Sequence, residues 1–507
     1  MNRSVSGRAL SGAAWLAVLG WLRVIVSVGS LMVTAWILGP STLGTFAALG
    51  LVIAVAQIPI SGGFTESLIQ RPQLSDEQID ATAWLVIILG LGLGGAVFAA
   101  ADILAVWVAA TGHGDSLRVL AWSLPFEALS TVPMSLLARR LAFRERGLVL
   151  TVALVAGSMV SMVGALVGWG MSALVAGALV RSVVVCVAGL LAARWLPGRF
   201  RGLAPMRGLM GFNLGVQFTY LIGHLDRLLP RYAITVLFGP TVLGLYHMAR
   251  RIEEEMTTLT TSPLVGVAMP ACSKLHGDLP ALHHLVLTLY RVAALFVTPL
   301  LLGAVVLVPT LFEGFLGAAW VAAIPLTQIV LIGGLRTANS AFNTSVMQSV
   351  GRPWLPAWTF AAGLVMQLCA LAALVPLGAI GAALAYLIRG ILIWPLGLYL
   401  IRMATGLSIV AQLRAVARPQ LAGVLMALSL LPLVYGLEVL LGDGLAPQVR
   451  AGIILGSGVL AGAAIYLLTA WWLMPGYRGD LAVVGGHVRQ GRLGAALRHL
   501  RDLTTRI

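Results

Sequence analysis

A stripe of polar and cationic residues runs through an apolar stretch in the middle of the chain. Residues three and four positions apart share one face of a helix. The residues on this face are Asn213, Gln217, Tyr220, His224, Arg227 and Arg231. Guanidinium groups bind phosphate oxygens through paired hydrogen bonds, and amides bind hydroxyl groups. The stripe therefore predicts a site for an anionic, hydroxyl-rich ligand, although a packed core histidine is an alternative interpretation of His224.

Five charged residues lie close together in the next apolar stretch. The run reads Arg250, Arg251, Ile252, Glu253, Glu254 and Glu255. Spacings of four residues let Arg250 pair with Glu254, and Arg251 with Glu255, along one helix. Self-neutralising pairs are thus the simpler interpretation. Because five charges do not face lipid, a polar interior face follows in either case, and we predict that both arginines contact the ligand.

Two other apolar stretches carry cations that we expect at the same ligand. Arg336, Asn339 and Asn343 share one face of a predicted helix, and Arg23 lies in the first apolar stretch of the chain. Amides that hydrogen-bond neighbouring helices together are an alternative for the two asparagines. Snorkelling to the membrane surface is an alternative for Arg23.

Two acidic residues within apolar stretches are candidates for coupling transport to H+ or Na+. Asp226 lies off the polar stripe of its helix, and Glu127 lies in an earlier stretch. Each is equally interpretable as an ion-pair partner. The sequence lacks the G-x-x-x-x-G-K-[ST] pattern of a P-loop, so ATP bound in that way is excluded as the energy source. Arginines outnumber acidic residues inside the apolar stretches, which favours an anionic ligand.

The composition shows that the bilayer is the solvent of these residues. The chain has 507 residues, 59% of them hydrophobic and 10% charged, against about 25% charged in a soluble domain. The net charge of +15 comes from basic residues in short loops, without a contiguous patch that would bind nucleic acid. The three cysteines have no metal-binding spacing. We expect no metal, no cofactor and no catalytic activity.

Windows of about 20 apolar residues predict transmembrane helices. They lie at 15–38, 42–66, 82–108, 117–138, 147–168, 172–195, 211–237, 241–270, 284–308, 320–349, 355–377, 380–401, 416–440 and 451–473. Basic residues concentrate in alternate loops, which predicts cytoplasmic N- and C-termini. The tail from 488 to 507 has leucines and arginines at helical spacing, typical of a helix lying on the membrane surface.

A nine-residue motif occurs twice, 200 residues apart. It reads LGPSTLGTF at 38–46 and FGPTVLGLY at 238–246, each time after the first helix of a six-helix block. Six is an even number, so the two copies face the same side and the blocks are parallel repeats around a central cavity. Chance identity at a tight turn is the alternative. The predicted divisions are lobes at 1–195 and 211–402, a cytoplasmic linker at 196–210, two further helices at 403–475 and a basic tail at 476–507.

Several stretches resemble one family of membrane transporters. They are 36–44 (WILGPSTLG), 62–71 (GGFTESLIQR), 225–229 (LDRLL), 239–246 (GPTVLGLY) and Pro270. The chain is similar to the polysaccharide transporters of the multidrug/oligosaccharidyl-lipid/polysaccharide exporter superfamily, which flip undecaprenyl-diphosphate-linked oligosaccharides. The resemblance implies two six-helix lobes, a cationic cavity and alternating access. It also implies that the last two helices form a groove for the polyprenyl tail.

The sequence therefore predicts a flippase of the bacterial inner membrane that serves exopolysaccharide or O-antigen synthesis. The expected partners are a lipid-linked oligosaccharide, membrane lipids and H+ or Na+, with no nucleic acid; a monomer near polysaccharide polymerase machinery is expected. A multidrug antiporter of the same superfamily is the closest alternative, but it favours acidic and aromatic cavity residues. A membrane polysaccharide polymerase or ligase needs a larger external loop than this sequence provides.

Overall fold

The computed structural model of the chain describes residues 2–61, 68, 74–140, 142–200, 202, 214–275, 277–352, 354–442 and 444–474. Regular secondary structure within these residues is helical. Helices suit long apolar runs because in a bilayer every backbone polar group must find its partner within the segment or a closed barrel. The predicted tail at 476–507 and most of the predicted linker at 196–210 lie outside the described residues.

Before the linker, the described residues form six long helices and the short helix Ala101–Trp107, which follows the third of them. The helical stretch Asn2–Ser61 divides at Gly39 into α1 (2–38) and α2 (40–61). The others are α3 (Asp76–Ala99), α4 (Gly114–Ala121 continued by Ser123–Arg139), α5 (Phe143–Leu166) and α6 (Met171–Ala193).

After the linker, the described residues form eight long helices. The stretch Leu214–Lys274 divides at Gly239 into α7 (214–238) and α8 (240–274). The remainder are α9 (Leu279–Leu311), α10 (Ala323–Gly334, Thr337–Ser340 and Asn343–Ser349), α11 (Leu355–Ala373), α12 (Gly378–Thr405), α13 (Ile409–Leu441) and α14 (Pro447–Leu473). Every one of the fourteen predicted spans falls on one of these helices. The predicted fold class, an all-α polytopic membrane protein, is confirmed.

The surfaces of these helices are those of a membrane protein. Ten helical stretches in the described part are long and apolar enough to cross a bilayer. Two of the ten are the kinked pairs α1–α2 and α7–α8, whereas α4 and α10 consist of shorter pieces. Large apolar side chains on the last two helices are strongly exposed: Leu440 is 80% exposed and Trp472 81%. Such surface is stable against lipid and not against water.

The helices group into two compact units. One is drawn from Met1–Glu255 and Pro356–Arg389, and the other from Met256–Leu355 and Gly390–Ile507. In the second unit, α13 and α14 pack against α9 through an apolar cluster that includes Leu302, Met426 and Tyr466. The predicted lobe boundaries stay predictions.

Side-chain caps determine where several helices begin. Ser75 and Gln78 form a reciprocal capping box at the start of α3, with hydrogen bonds of 3.3 and 3.2 Å. Ser408 accepts a hydrogen bond from the backbone of Ala411 at the start of α13. Each cap satisfies backbone donors that have no partner within the first helical turn.

The repeated motif has the same backbone conformation in both copies. Gly39 has φ 73° and ψ 173°, and Gly239 has φ 82° and ψ 173°. A positive φ is open to glycine but strained for other residues. The proline that follows each glycine is restrained to the φ of a first helical position. The Gly-Pro pair therefore ends one membrane helix and begins the next, which is how both kinks arise.

The two copies of the motif also contact each other. A Cβ on Gly44 would overlap the carbonyl oxygen of Pro240, and a Cβ on Gly244 would overlap the carbonyl oxygen of Pro40. A reciprocal contact of this kind is what two related segments form across a two-fold axis. The two turns lie side by side, as the predicted parallel repeat requires.

We expect Gly44→Ala to destabilise the protein strongly, because α2 and α8 must separate to admit the new methyl group. Overpacking a tight contact costs about 1–3 kcal/mol or more. The midpoint of thermal unfolding of the purified protein measures the effect. Gly50→Ala is the matched control on the same helix, since nothing lies within 4 Å of a Cβ placed there. Equal midpoints for the two variants would show that the contact does not constrain the helices.

Candidate functional site

A polar cleft lies between membrane helices of the first compact unit. Its walls come from α7, α8, α11 and α12. The lining residues are Asp226, Arg227, Pro230, Arg231, Tyr246, Arg250, Gln367, Tyr386 and Arg389. We refer to it as the arginine cleft, because arginine is its most frequent residue. The charged patterns predicted on α7 and α8 thus meet in one place.

Arg250 is held firmly on the α8 side of the cleft. Its two terminal nitrogens donate to Glu253 Oε2 at 2.7 Å and to Glu254 Oε1 at 2.8 Å. The guanidinium carbon lies 4.2 Å from the centre of the Tyr386 ring, which is a cation–π distance. The i,i+4 pairing expected from the sequence is therefore present, and Arg250 keeps its charge compensated at membrane depth.

Arg231 reaches the same carboxylate from α7. Its Nη2 donates to Glu254 Oε1 at 2.8 Å. One oxygen of Glu254 thus accepts hydrogen bonds from two guanidinium groups on two helices. His247, one helical turn before Arg251, is near enough to interact electrostatically with both Arg231 and Glu254. The hydrogen bond between Arg231 and Glu254 links the polar stripe of α7 directly to the charged run of α8.

Asp226 is paired with an arginine from α12. Arg389 Nη2 forms a salt bridge with Asp226 Oδ2, and Arg389 Nη1 donates to Gln367 Oε1 at 3.1 Å. The Asp226 side chain is 6% exposed and the Arg389 side chain 13%. Burying two charges is favourable only when they are paired and hydrogen-bonded. The three residues join α7, α11 and α12 at the back of the cleft.

Arg227 is the exposed cation of the cleft. Its Nη2 lies 3.4 Å from His224 Nδ1, which places these two residues of the predicted stripe in contact. Within the described residues no carboxylate pairs with Arg227, in contrast to Arg231, Arg250 and Arg389. Its positive charge is consequently the one most open to an incoming anion.

A second charged cluster of the same unit contains two further predicted cations, Arg23 and Arg251. Arg251 forms a salt bridge of 2.7 Å with Glu255, and its Nη2 donates to Ser27 of α1 at 2.8 Å. Arg181 of α6 is near enough to interact electrostatically with Arg23 and Arg251. The structure therefore places Arg251 and Arg23 in this cluster and not in the arginine cleft.

Glu127 lies in the same region and accepts its hydrogen bonds from neutral donors. Ser182 Oγ donates to Glu127 Oε1 at 3.2 Å, and Gln57 Nε2 donates to Glu127 Oε2. Arg181 interacts with its charge from α6. The environments of the two coupling candidates thus differ, since Asp226 is joined to a guanidinium group and Glu127 to an amide and a hydroxyl.

The remaining predicted ligands are in the second unit or outside the described residues. Tyr290 donates to Asn343 Oδ1 at 2.8 Å, and the side chain of Arg336 lies against Gly390. α10 is interrupted at 335–336, where Arg336 lies, and at 341–342, just before Asn343, as is typical where a membrane helix lines polar space. Asn213 lies outside the described residues, and the side chains of Gln217 and Asn339 are not described.

Sequence reasoning missed five residues that line the cleft, of which Pro230 and Tyr246 lie on α7 and α8. Gln367, Tyr386 and Arg389 come from α11 and α12. Arg389 is noticeable in the sequence as a charge within an apolar span, a signal that could have placed it in the site. Gln367 has no polar neighbour at helical spacing that would single it out, whereas Tyr386 lies three residues before Arg389 and shares its helix face.

The fold and the cleft together define a helical membrane protein with a cationic cleft between its helices. In comparison with solved structures, the chain is similar to the lipid II flippase MurJ in an inward closed conformation, with a TM-score of 0.70 and 13% identity over 93% of this chain and 99% of that chain. It is also similar to an inward-facing multidrug resistance MATE family transporter of the MOP superfamily, with a TM-score of 0.57 and 18% identity over 80% and 98% of the two chains. At these identities the likeness is one of fold.

A family model described as polysaccharide biosynthesis protein matches residues 33–325. This is more than half of the chain, and the chain belongs to that family. The matched region contains every stretch on which the resemblance rested, and the resemblance is confirmed.

Three curated relatives agree with this membership. The teichuronic acid biosynthesis protein TuaB of Bacillus subtilis (strain 168) is 22% identical over 97% of this chain and 99% of its own length. The lipopolysaccharide biosynthesis protein WzxC of Escherichia coli (strain K12) is 23% identical over 69% of each chain. The succinoglycan biosynthesis transport protein ExoT of Rhizobium meliloti (strain 1021) is 23% identical, and the match spans 63% of its length.

Proposed function

We propose that this chain is a flippase that carries an undecaprenyl-diphosphate-linked oligosaccharide from the cytoplasmic to the outer leaflet of the inner membrane. The observation that carries the proposal is the arginine cleft, which gathers four guanidinium groups from three membrane helices. Family membership and relatives named for polysaccharide biosynthesis and transport support the substrate class. Alternating access is the expected mechanism, and no bond of the substrate is made or broken.

The chemistry of the substrate explains the need for such a cleft. A diphosphate must leave water while its polyprenyl tail stays in lipid, and an unpaired charge is very costly to desolvate. Arginine suits this task because its planar fork matches phosphate oxygens bidentately. Arg227 is the first ligand we propose, since it is exposed and no carboxylate in the described part of the chain pairs with it. Arg231 is the second.

The other predicted ligands take part less directly in this proposal. Arg250 contributes positive charge while held by its own carboxylates, and His224 positions Arg227. Arg23 and Arg251 belong to the second cluster and Arg336 to the second unit, where their contact with the sugar-diphosphate stays a prediction. The same holds for Asn213, Gln217, Asn339 and Asn343, whose amides suit sugar hydroxyls.

Between the two coupling candidates, the geometry favours Glu127 as the site of protonation. An amide and a hydroxyl remain compatible with a neutral carboxyl group, whereas Asp226 would leave the buried Arg389 uncompensated if it were protonated. Na+ at Glu127 is the alternative.

The proposal also includes N- and C-termini in the cytoplasm, a monomeric state and a place beside the polymerase machinery.

A reconstituted system tests the proposed function. Liposomes with and without the purified protein would contain a fluorescent undecaprenyl-diphosphate-linked sugar, and dithionite added outside would quench only the outer leaflet. We expect the protein to make the inner-leaflet label accessible. If the label stays protected while the same liposomes exchange an organic cation for protons, the chain is a multidrug antiporter and the proposal is wrong.

A further inference from the structure

The carboxylate of Glu254 lies between two arginines that line the cleft. Its Oε1 atom accepts a hydrogen bond of 2.8 Å from Arg231 and another of 2.8 Å from Arg250. This oxygen accepts from two guanidinium groups on different helices. A phosphate oxygen bound between two arginines occupies the same position. Two arginines of the cleft therefore already share an anion that belongs to the protein.

We infer that Glu254 is a resident counter-anion that determines the charge selectivity of the cleft, and that a diphosphate must displace it from Arg231 to bind. This inference rests on the proposed function. A diphosphate presents several anionic oxygens and replaces one carboxylate with more charge and more hydrogen bonds. A neutral sugar or a monoanion has no such advantage over a carboxylate tethered to the same helix.

The surroundings of the three α8 carboxylates favour Glu254 in this role. The Glu254 side chain is 35% exposed, whereas the Glu253 side chain is 4% exposed and the Glu255 side chain 15%. Arg250 would still contact Glu253 and the Tyr386 ring after Glu254 moved. Arg231 is thus the cation that displacement sets free, and it lies on α7 close to the exposed Arg227.

A displaceable carboxylate also explains how the empty protein remains stable. Unpaired cations at membrane depth are strongly unfavourable, and the cleft is empty after each release of substrate. Glu254 can return to Arg231 at that point and weaken the interaction between Arg231 and the departing anion. The same residue would then lower affinity and speed release, which a transporter needs more than tight binding.

Titration of the full-length protein in nanodiscs with inorganic pyrophosphate tests the inference. We expect Glu254→Gln to lower the Kd for pyrophosphate about tenfold or more. The reason is that the charged hydrogen bond between the Glu254 carboxylate and Arg231 no longer competes with pyrophosphate. Orthophosphate should bind more tightly as well, so the ratio of the Kd values for orthophosphate and pyrophosphate should decrease. In the labelled-lipid assay the variant should turn over more slowly than the wild type, because release becomes limiting.

Two further variants make the result specific. Glu255→Gln removes the same charge one residue away, but its partner Arg251 does not line the cleft, and we expect its Kd to stay within about twofold of the wild type. Arg231→Gln combined with Glu254→Gln should lose the gain in affinity. Equal Kd values for Glu254→Gln and the wild type would overturn the inference.

The outcomes separate this inference from the proposed function. Tighter pyrophosphate binding by Glu254→Gln supports the resident counter-anion even if no lipid-linked sugar is flipped. Normal flipping combined with no pyrophosphate binding by any variant would overturn the counter-anion and leave the flippase function standing.

Discussion

Arg227→Ala should reduce export of the cognate glycan to near background, while the protein stays in the membrane at its normal level. Arg227 carries the exposed guanidinium group of the cleft, and it contacts His224. Removing it deletes a charge-assisted contact to the diphosphate, worth about 10- to 100-fold in affinity. Export in a flippase-deficient strain, together with immunoblotting of membranes, measures both quantities.

Arg227→Lys should restore export only in part, because lysine keeps the charge but loses the planar fork. Arg414→Ala is a matched control, since Arg414 is an exposed arginine of α13 that lies outside the cleft. It should export normally. Normal export by Arg227→Ala at normal abundance would show that the cleft does not bind the substrate as proposed.

The helices and their repeat were predictable because their signals are local. Hydropathy over about 20 residues reveals a span in any context, and all fourteen spans were identified in this way. The Gly-Pro motif was recognisable twice because both kinks need the same positive φ. The polar pattern of α7 was visible because helical periodicity alone brings His224 and Arg227 together.

The partners of the charged residues were less predictable, because they depend on neighbouring helices. Arg250 and Arg251 are adjacent in sequence, yet successive residues of an α-helix point about 100° apart. One therefore lines the cleft while the other contacts Ser27 of α1. Arg389 was visible as a buried charge, but nothing within α12 indicated Asp226, which lies 163 positions earlier in the chain.

The salt bridge between Asp226 and Arg389 should contribute strongly to the stability of the protein. Asp226→Asn leaves Arg389 buried without its salt bridge, and breaking a buried pair on one side costs about 3–5 kcal/mol. The midpoint of thermal unfolding should fall sharply, as it should for Arg389→Gln. The double variant Asp226→Asn with Arg389→Gln removes both charges together and should recover most of the loss, because neutral amides tolerate burial beside Gln367 far better than a lone ion.

The double-mutant cycle isolates the interaction from the general effect of each substitution. Asp115→Asn provides the control, since the Asp115 side chain pairs with Arg118 but is 96% exposed, and exposed pairs contribute little. Its unfolding midpoint should match that of the wild type. If the losses of the two single variants simply add in the double variant, Asp226 and Arg389 act independently. In that case Asp226 is not reserved for Arg389, and the reason for preferring Glu127 as the protonation site is lost.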